Sequence, residues 1–454
     1  MRISNNCFLV GIQLGKNNVM KICGLNVVGL FGLYDYSISF KDSEDNFTII
    51  TSPNGYGKTT ILKIINSLDV KRLYYLYLLK FTSIEVSFDD ESVLSLQEIN
   101  SNNADELDSD IAKNRRLGLS MRWLIEGNEI CRFEYKQDDI YKAKDYAVRQ
   151  MPMRSVYSKD VLKEEDFTYG ELGEALNSRI AKIQGQEQFL LQLATLQINL
   201  IEANRIYPEI FNTFGIQKRN DPPIIHIIEE LRDKLSNATN GFLNKVQQLD
   251  SEFIEILLKE EVEKIDREKY ESKAAYLTEK ISELANYGLA RRQTIPSFND
   301  SKSNILSAYI KLMEKKYSYY DVDILPSIKL FNEKVNQKRF TNKNIIVSVQ
   351  HGLRIESVNG DILDADMLSS GEQNELVILY DLIFKTPIGS ILLIDEPENS
   401  LHVAWLNTFV EDVLTIIKQR KLQIIVASHS PTIVSDALDS QVIDLYYNQK
   451  VKDA

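Results

Sequence analysis

Cysteine is scarce: three residues in 454, Cys7, Cys23 and Cys131, lie far apart. They form neither a disulfide framework nor a zinc ligand set. Histidine is as sparse, with four scattered residues, so a structural metal is not expected. No apolar stretch approaches the about 18 residues of a membrane helix, so nothing is expected to span a bilayer. The first twenty residues hold one short apolar patch, Phe8–Ile12, and no small-residue cleavage site, which argues against a signal peptide. Positive charge is in deficit too. The formal net charge of −12 has the wrong sign for a chain-wide nucleic-acid coat, although it leaves local basic patches open. A cytoplasmic protein is expected.

What is present has globular proportions. Hydrophobic residues at 44% and charged residues at 26% exclude disordered and fibrous classes, and the length suggests two or three structural units. Residues 1–19 read as an N-terminal extension, and Met20 is a second possible start. Strands are expected over Lys21–Val28, Tyr36–Phe40, Asn46–Ile50 and Gln197–Ala203, with a helix over Thr59–Leu68. Phe81–Phe88 alternates and reads as a strand with one solvated face. Residues 100–118 read as a polar surface loop. Pro222-Pro223 marks a boundary.

Beyond it, Leu231, Leu235, Ala238, Phe242, Val246, Leu249, Phe253 and Ile256 are spaced by threes and fours, a heptad seam with one stutter. Tyr270, Ala274, Leu277, Ile281 and Leu284 repeat the spacing, and another helix is expected from Ser301 to about Tyr317. The seam predicts either a projecting helical hairpin, the favoured reading, or a packed helical layer. Strands return at Ile345–Val349, Leu353–Val358, Ile391–Ile394, Gln423–Ala427 and Val442–Tyr446. The expected fold is a mixed α/β body over residues 20–221 and 340–454, split by a helical insertion over 222–339.

Four segments carry chemistry. Ser52, Pro53, Asn54, Gly55, Tyr56, Gly57, Lys58, Thr59 and Thr60 join a strand to a helix. Backbone N–H groups and a helix N-terminus in that setting cradle phosphates; Lys58 would reach the β- and γ-phosphates and Thr59 would place its hydroxyl on Mg²⁺. Ser52 stands where a glycine is usual in such loops. Ile391-Leu-Leu-Ile-Asp-Glu-Pro-Glu398 ends an apolar strand in adjacent carboxylates, placing Asp395 near a metal and Glu396 beside an attacking water; a plain helix cap is the bland alternative. Leu368-Ser-Ser-Gly-Glu-Gln373 opens a helix expected over Glu372–Phe384. Ser428-His-Ser-Pro431 puts His429 just past a strand, on the edge where α/β sheets bind ligands; a structural histidine is the bland reading.

These four motifs in this order resemble the ATP-binding cassette ATPases, specifically the branch containing SMC, RecF and OLD-type proteins, in which a helical or coiled-coil insertion divides the nucleotide-binding head. The resemblance covers roughly residues 20–90 and 340–447. It implies ATP and Mg²⁺ as cofactors and an ATPase activity. Ser52–Thr59 would be Walker A. Ser369, Ser370, Gly371 and Glu372 would be the signature, reaching the γ-phosphate of ATP held by a second copy, chiefly through Ser369. Asp395 would be the Walker B magnesium ligand and Glu396 the catalytic base. Ser400-Leu401-His402 falls at the D-loop and His429 at the switch histidine. Gln97, Gln197 and Asn204-Arg205 remain candidates for the Q-loop.

The same resemblance implies a homo-oligomer closed by ATP. Its compact form is similar to the sensor ATPases of anti-phage systems such as PARIS and Septu, and no room is expected after Tyr446 for the nuclease domain of OLD enzymes. The partners implied are an effector nuclease, Toprim-like or HNH, and a phage-encoded trigger protein. The alternative is a DNA-repair ATPase that clamps DNA when its heads close. A transporter motor fits poorly, and no membrane partner is expected.

Overall fold

The computed structural model describes residues 20–40, 45–99, 118–150, 167–168, 170–202, 223–259, 263–337, 340, 342–399, 403–437 and 441–448. The N-terminal extension, nearly all of the 100–118 loop, Asn204-Arg205 and the D-loop lie outside them.

The first strands, β1 (Ile22–Leu30) and β2 (Tyr34–Ser39), form a hairpin, after which β3 (Phe47–Thr51) leaves for another sheet and runs through loop 52–57 into α1 (Lys58–Asn66). Beyond α2 (Tyr74–Leu78), the chain returns for β4 (Ser83–Phe88), β5 (Ser92–Ile99), β6 (Gly118–Ile125) and β7 (Asn128–Lys136). These build a six-stranded antiparallel sheet in the order β2-β1-β4-β5-β6-β7. The β6–β7 turn is two residues, Glu126 (φ 50°) and Gly127 (φ 79°), the left-handed pair whose twist suits a tight hairpin. Ile84, Val86 and Phe88 face the core, as their alternation predicts.

Helices α3 (Gln137–Gln150), α4 (Gly170–Gln184) and α5 (Glu187–Leu193) lead to β8 (Ile198–Ile201). The insertion follows as α6 (Pro223–Lys259), α7 (Arg267–Asn286), α8 (Ser303–Tyr317) and α9 (Ile324–Gln337). A small antiparallel sheet, β9 (Lys343–Ser348), β10 (Gly352–Ser357) and β11 (Ile362–Leu363), precedes α10 (Ser370–Tyr380). Then come β12 (Ile391–Asp395), α11 (Val403–Leu406), α12 (Phe409–Arg420), β13 (Gln423–Ala427), α13 (Pro431–Ser435), β14 (Val442–Asp444) and α14 (Leu445–Asn448).

The central sheet has the order β14-β3-β13-β12-β8, and every pairing is parallel. β12 and β13 are buried throughout, as their unbroken apolar runs require of strands covered on both faces. Side chains alternate between two cores. Ile50, Leu393 and Ile425 join α1 and the antiparallel sheet on one side; Ile49, Leu392 and Ile424 join α10, α12 and the insertion helices on the other. The result is a mixed α/β fold with a helical insertion.

The seam residues Leu231, Leu235 and Leu249 of α6 and Tyr270, Leu277, Ile281 and Leu284 of α7 are buried in that second core. Of the two arrangements the seam predicts, these residues therefore take the packed one, sharing a core with the sheet. Apolar side chains are exposed at Leu243 in the middle of α6 and at Ile254 and Leu257 in its distal turns. Two strand and helix expectations also shift. The last strand stops at Asp444, whose Oδ1 accepts the Tyr446 N–H at 2.8 Å and starts a helical turn instead. The helix after Ser369 is α-helical to Tyr380 and then widens to a π turn over Asp381–Lys385. Among the described residues, no helix is long and apolar enough to cross a membrane.

Candidate functional site

Parallel pairing puts the C-terminal ends of the central strands on one edge. Ala427 is opposite both Asp395 and Ile50, and Ile394 is opposite Ile201. Whatever follows these residues in sequence gathers there. After β3 comes loop 52–57. Ser52 is buried and Pro53, Asn54 and Gly55 are exposed. Gly55 (φ 91°) and Gly57 (φ 81°) take left-handed backbone, and no side chain caps α1. A helix end without a side-chain cap is an arrangement that suits an anion. Lys58 is buried and its Nζ donates to the Ser52 carbonyl at 2.7 Å, so its ammonium lies within the loop.

After β12 come the carboxylates. Asp395 is 7% exposed and its Oδ1 accepts from Thr59 Oγ1 at 3.2 Å. Burial, the largest influence, pushes the Asp395 carboxyl above the usual range; the Thr59 hydrogen bond opposes this and Glu396 adds to it. Glu396 has φ 44°, a left-handed backbone that a non-glycine residue adopts under constraint. Its amide donates to Ala427 O at 2.8 Å and its Oε2 accepts from Asn399 Nδ2 at 2.7 Å. After β13 comes His429, whose Nδ1 lies 3.7 Å from Glu396 Oε1. The three sequence-predicted segments thus meet on one edge.

The fourth does not join them. Ser369 is the N-cap of α10: its Oγ accepts the Glu372 N–H at 3.3 Å, and Glu372 Oε2 accepts the Ser369 N–H at 2.7 Å. This reciprocal capping box ends the helix in an exposed tip, Ser369-Ser370. Glu372 does not point outward as a phosphate contact would; both its oxygens lie 2.9 Å from Lys343 Nζ of β9. Among the described residues, no hydrogen bond or ion pair joins segment 368–373 to loop 52–60.

A family profile described as an AAA ATPase domain matches residues 20–434. The chain belongs to this AAA ATPase family. Two solved structures are similar over nearly the whole chain. One is an Smc head bound to the C-winged helix domain of ScpA (12% identity, TM-score 0.36, 93% of this chain and 94% of that one). The other is an Smc head domain with an extended coiled coil bound to the C-terminal domain of ScpA derived from Pyrococcus furiosus (15%, 0.36, 94% and 93%). No curated protein matches.

In this AAA ATPase, an aromatic ladder that sequence reasoning missed adjoins the loop. Tyr36 OH donates to Tyr56 O at 2.7 Å and Tyr34 OH to Gly55 O at 3.4 Å. The Tyr34–Tyr36, Tyr34–Tyr56 and Tyr56–Tyr446 ring centroids are 5.6–5.8 Å apart. The i, i+2 tyrosines on a strand were the available signal. Glu202 was also missed; it follows β8 at the same edge and acts on Asp395 through space. Of the Q-loop candidates, Gln197 sits at the opposite edge, where its carbonyl accepts the Ile391 N–H. Gln97 lies in β5 of the other sheet, accepting from Arg122. Gln197 is therefore at the far end of the strands from the phosphate loop.

Proposed function

We propose that Ser52–Thr60, Asp395, Glu396 and His429 bind and hydrolyse magnesium-ATP, and that Ser369–Gly371 completes the equivalent site of a second copy. The Thr59–Asp395 hydrogen bond carries the reading, since it joins residues 336 apart in the pairing that Mg²⁺-phosphate sites need. The donor set fits: burial disfavours the charged form of Asp395, which a cation would favour, and no side chain caps the N-terminus of α1, which suits an anion. The magnesium ion, when bound, polarises the terminal phosphate.

The chain's own residues do the rest. Thr59 and Asp395 hold the metal, Lys58 and the loop amides hold phosphate oxygens, and the Tyr34–Tyr36–Tyr56 rings offer a stacking face to the base. Glu396 accepts the proton of the attacking water, and His429 steadies charge on the terminal phosphate. Because the Ser369 tip is exposed and, among the described residues, makes no hydrogen bond to loop 52–60, a second copy is the source of the serine that finishes each site, and ATP stabilises the closed pair. Lys58→Ala should abolish nucleotide binding. Glu396→Gln should bind ATP normally and lose at least about 100-fold in kcat. A wild-type rate for either variant contradicts the assignment.

The switch is read as controlling a separate effector, a nuclease in anti-phage defence with a phage-encoded trigger, supported by the motif resemblance. Co-expression with the nuclease gene beside it, where one exists, tests this: nuclease retention that survives Lys58→Ala unchanged would contradict ATP control. Head closure on DNA is less well supported, given the net charge of −12.

A further inference from the structure

Glu398 has no part in the chemistry above, yet its contacts are the most specific at the site. It lies in a one-turn 3₁₀ helix, Pro397–Asn399, and its side chain is 9% exposed. Donors converge on one of its oxygens. Oε1 accepts from Ser428 Oγ at 2.9 Å and from the His429 N–H at 2.8 Å, and His429 Nδ1 lies 3.2 Å away. Ser428 Oγ in turn accepts the Ser430 N–H at 3.0 Å. One carboxylate therefore organises three consecutive residues after β13. Its other oxygen, Oε2, is buried without a hydrogen-bond partner among the described residues. A carboxylate kept half-satisfied in a buried place weighs against stability, which points to a role outside folding.

Glu398 is not a second base. Oε1 is already occupied by donors, whereas Glu396 is 26% exposed and approaches the ring from 3.7 Å. We propose that Glu398 is the positioning residue for His429. It fixes the backbone of the 428–430 loop and draws Nδ1 inward as a donor. Both ring nitrogens then act as donors, Nδ1 to Glu398 and Nε2, across the ring, to the terminal phosphate of ATP. The proposal rests on the reading of His429 as a phosphate contact.

Steady-state hydrolysis by the full chain tests it, with Glu398→Ala, Glu398→Gln, His429→Ala and the Glu398→Ala/His429→Ala double variant beside wild type. Glu398→Ala should lower kcat about tenfold with KM within about twofold. It should have no further effect once His429 is gone. Glu398→Gln keeps an acceptor oxygen and should recover most of the rate. A wild-type kcat for Glu398→Ala, or the same fold-loss with and without His429, overturns the proposal. If Glu398→Ala does not fold, ¹⁵N-histidine spectra of wild type bound to a non-hydrolysable ATP analogue decide: a proton on Nδ1 of His429 is expected, and an Nδ1 without one overturns it. An active Lys58→Ala sinks the nucleotide reading and this proposal with it; a dead Lys58→Ala beside a fully active Glu398→Ala sinks this proposal alone.

Discussion

Asp395 is where stability and activity pull apart. Burial holds its pKa above the usual carboxylate range. An acid whose pKa rises on folding favours the folded state most at pH below its unfolded value, about 3.9, and that contribution is lost as pH rises through the folded value. At pH 7 the carboxylate is therefore a burden on the metal-free fold. Asp395→Asn keeps an acceptor for Thr59 and removes the burden. Calorimetry in EDTA at pH 7 should show a higher unfolding temperature for the variant, while magnesium-dependent phosphate release falls at least about 100-fold. A lower unfolding temperature would contradict this account of the site.

At the scale of elements, α10 is set by its first turn. Burial works against ionisation of Glu372, but Lys343 and the Ser369 donors outweigh it and hold the carboxyl below its usual range. Its stabilising contribution is present above the unfolded value, about 4.3, and is lost as pH falls through the lowered folded one. Urea midpoints of wild type and Glu372→Ala should differ at pH 7 and converge on acidification. Where β10 crosses α6, Gly352 (φ 68°) leaves no room, since an added Cβ would sit 2.1 Å from the Ile228 carbonyl. Gly352→Ala should destabilise by about 2 kcal/mol or more in chemical denaturation; a loss below about 0.5 kcal/mol would show that the crossing relaxes freely.

Elements with strong local rules were legible in the sequence. The run into loop 52–60, the apolar Ile391–Ile394 and the Ser-Ser-Gly turn that opens α10 each state their structure within ten residues. The antiparallel strands β5, β6 and β7 were not legible, because the β6–β7 turn uses Glu126-Gly127 rather than a stronger hairpin pair. The seam on α6 looks the same whether it faces a partner hairpin or the head, so its packing depended on tertiary contacts. Glu398 was hidden for a related reason. Its meaning lies in Ser428 and His429, about thirty residues on, which only the parallel register of β12 and β13 brings near.

For the whole molecule, the account needs two copies. The phosphate loop, Asp395, Glu396 and His429 meet on one sheet edge, while the Ser369 tip stands apart on α10. A mixing experiment separates a shared site from a self-contained one. Lys58→Ala and Ser369→Arg should each be inactive alone. If sites are completed between copies, an equal mixture forms mixed pairs with one intact site, and turnover should return to about a quarter of wild type by random pairing. A mixture no more active than its two components would contradict the central claim.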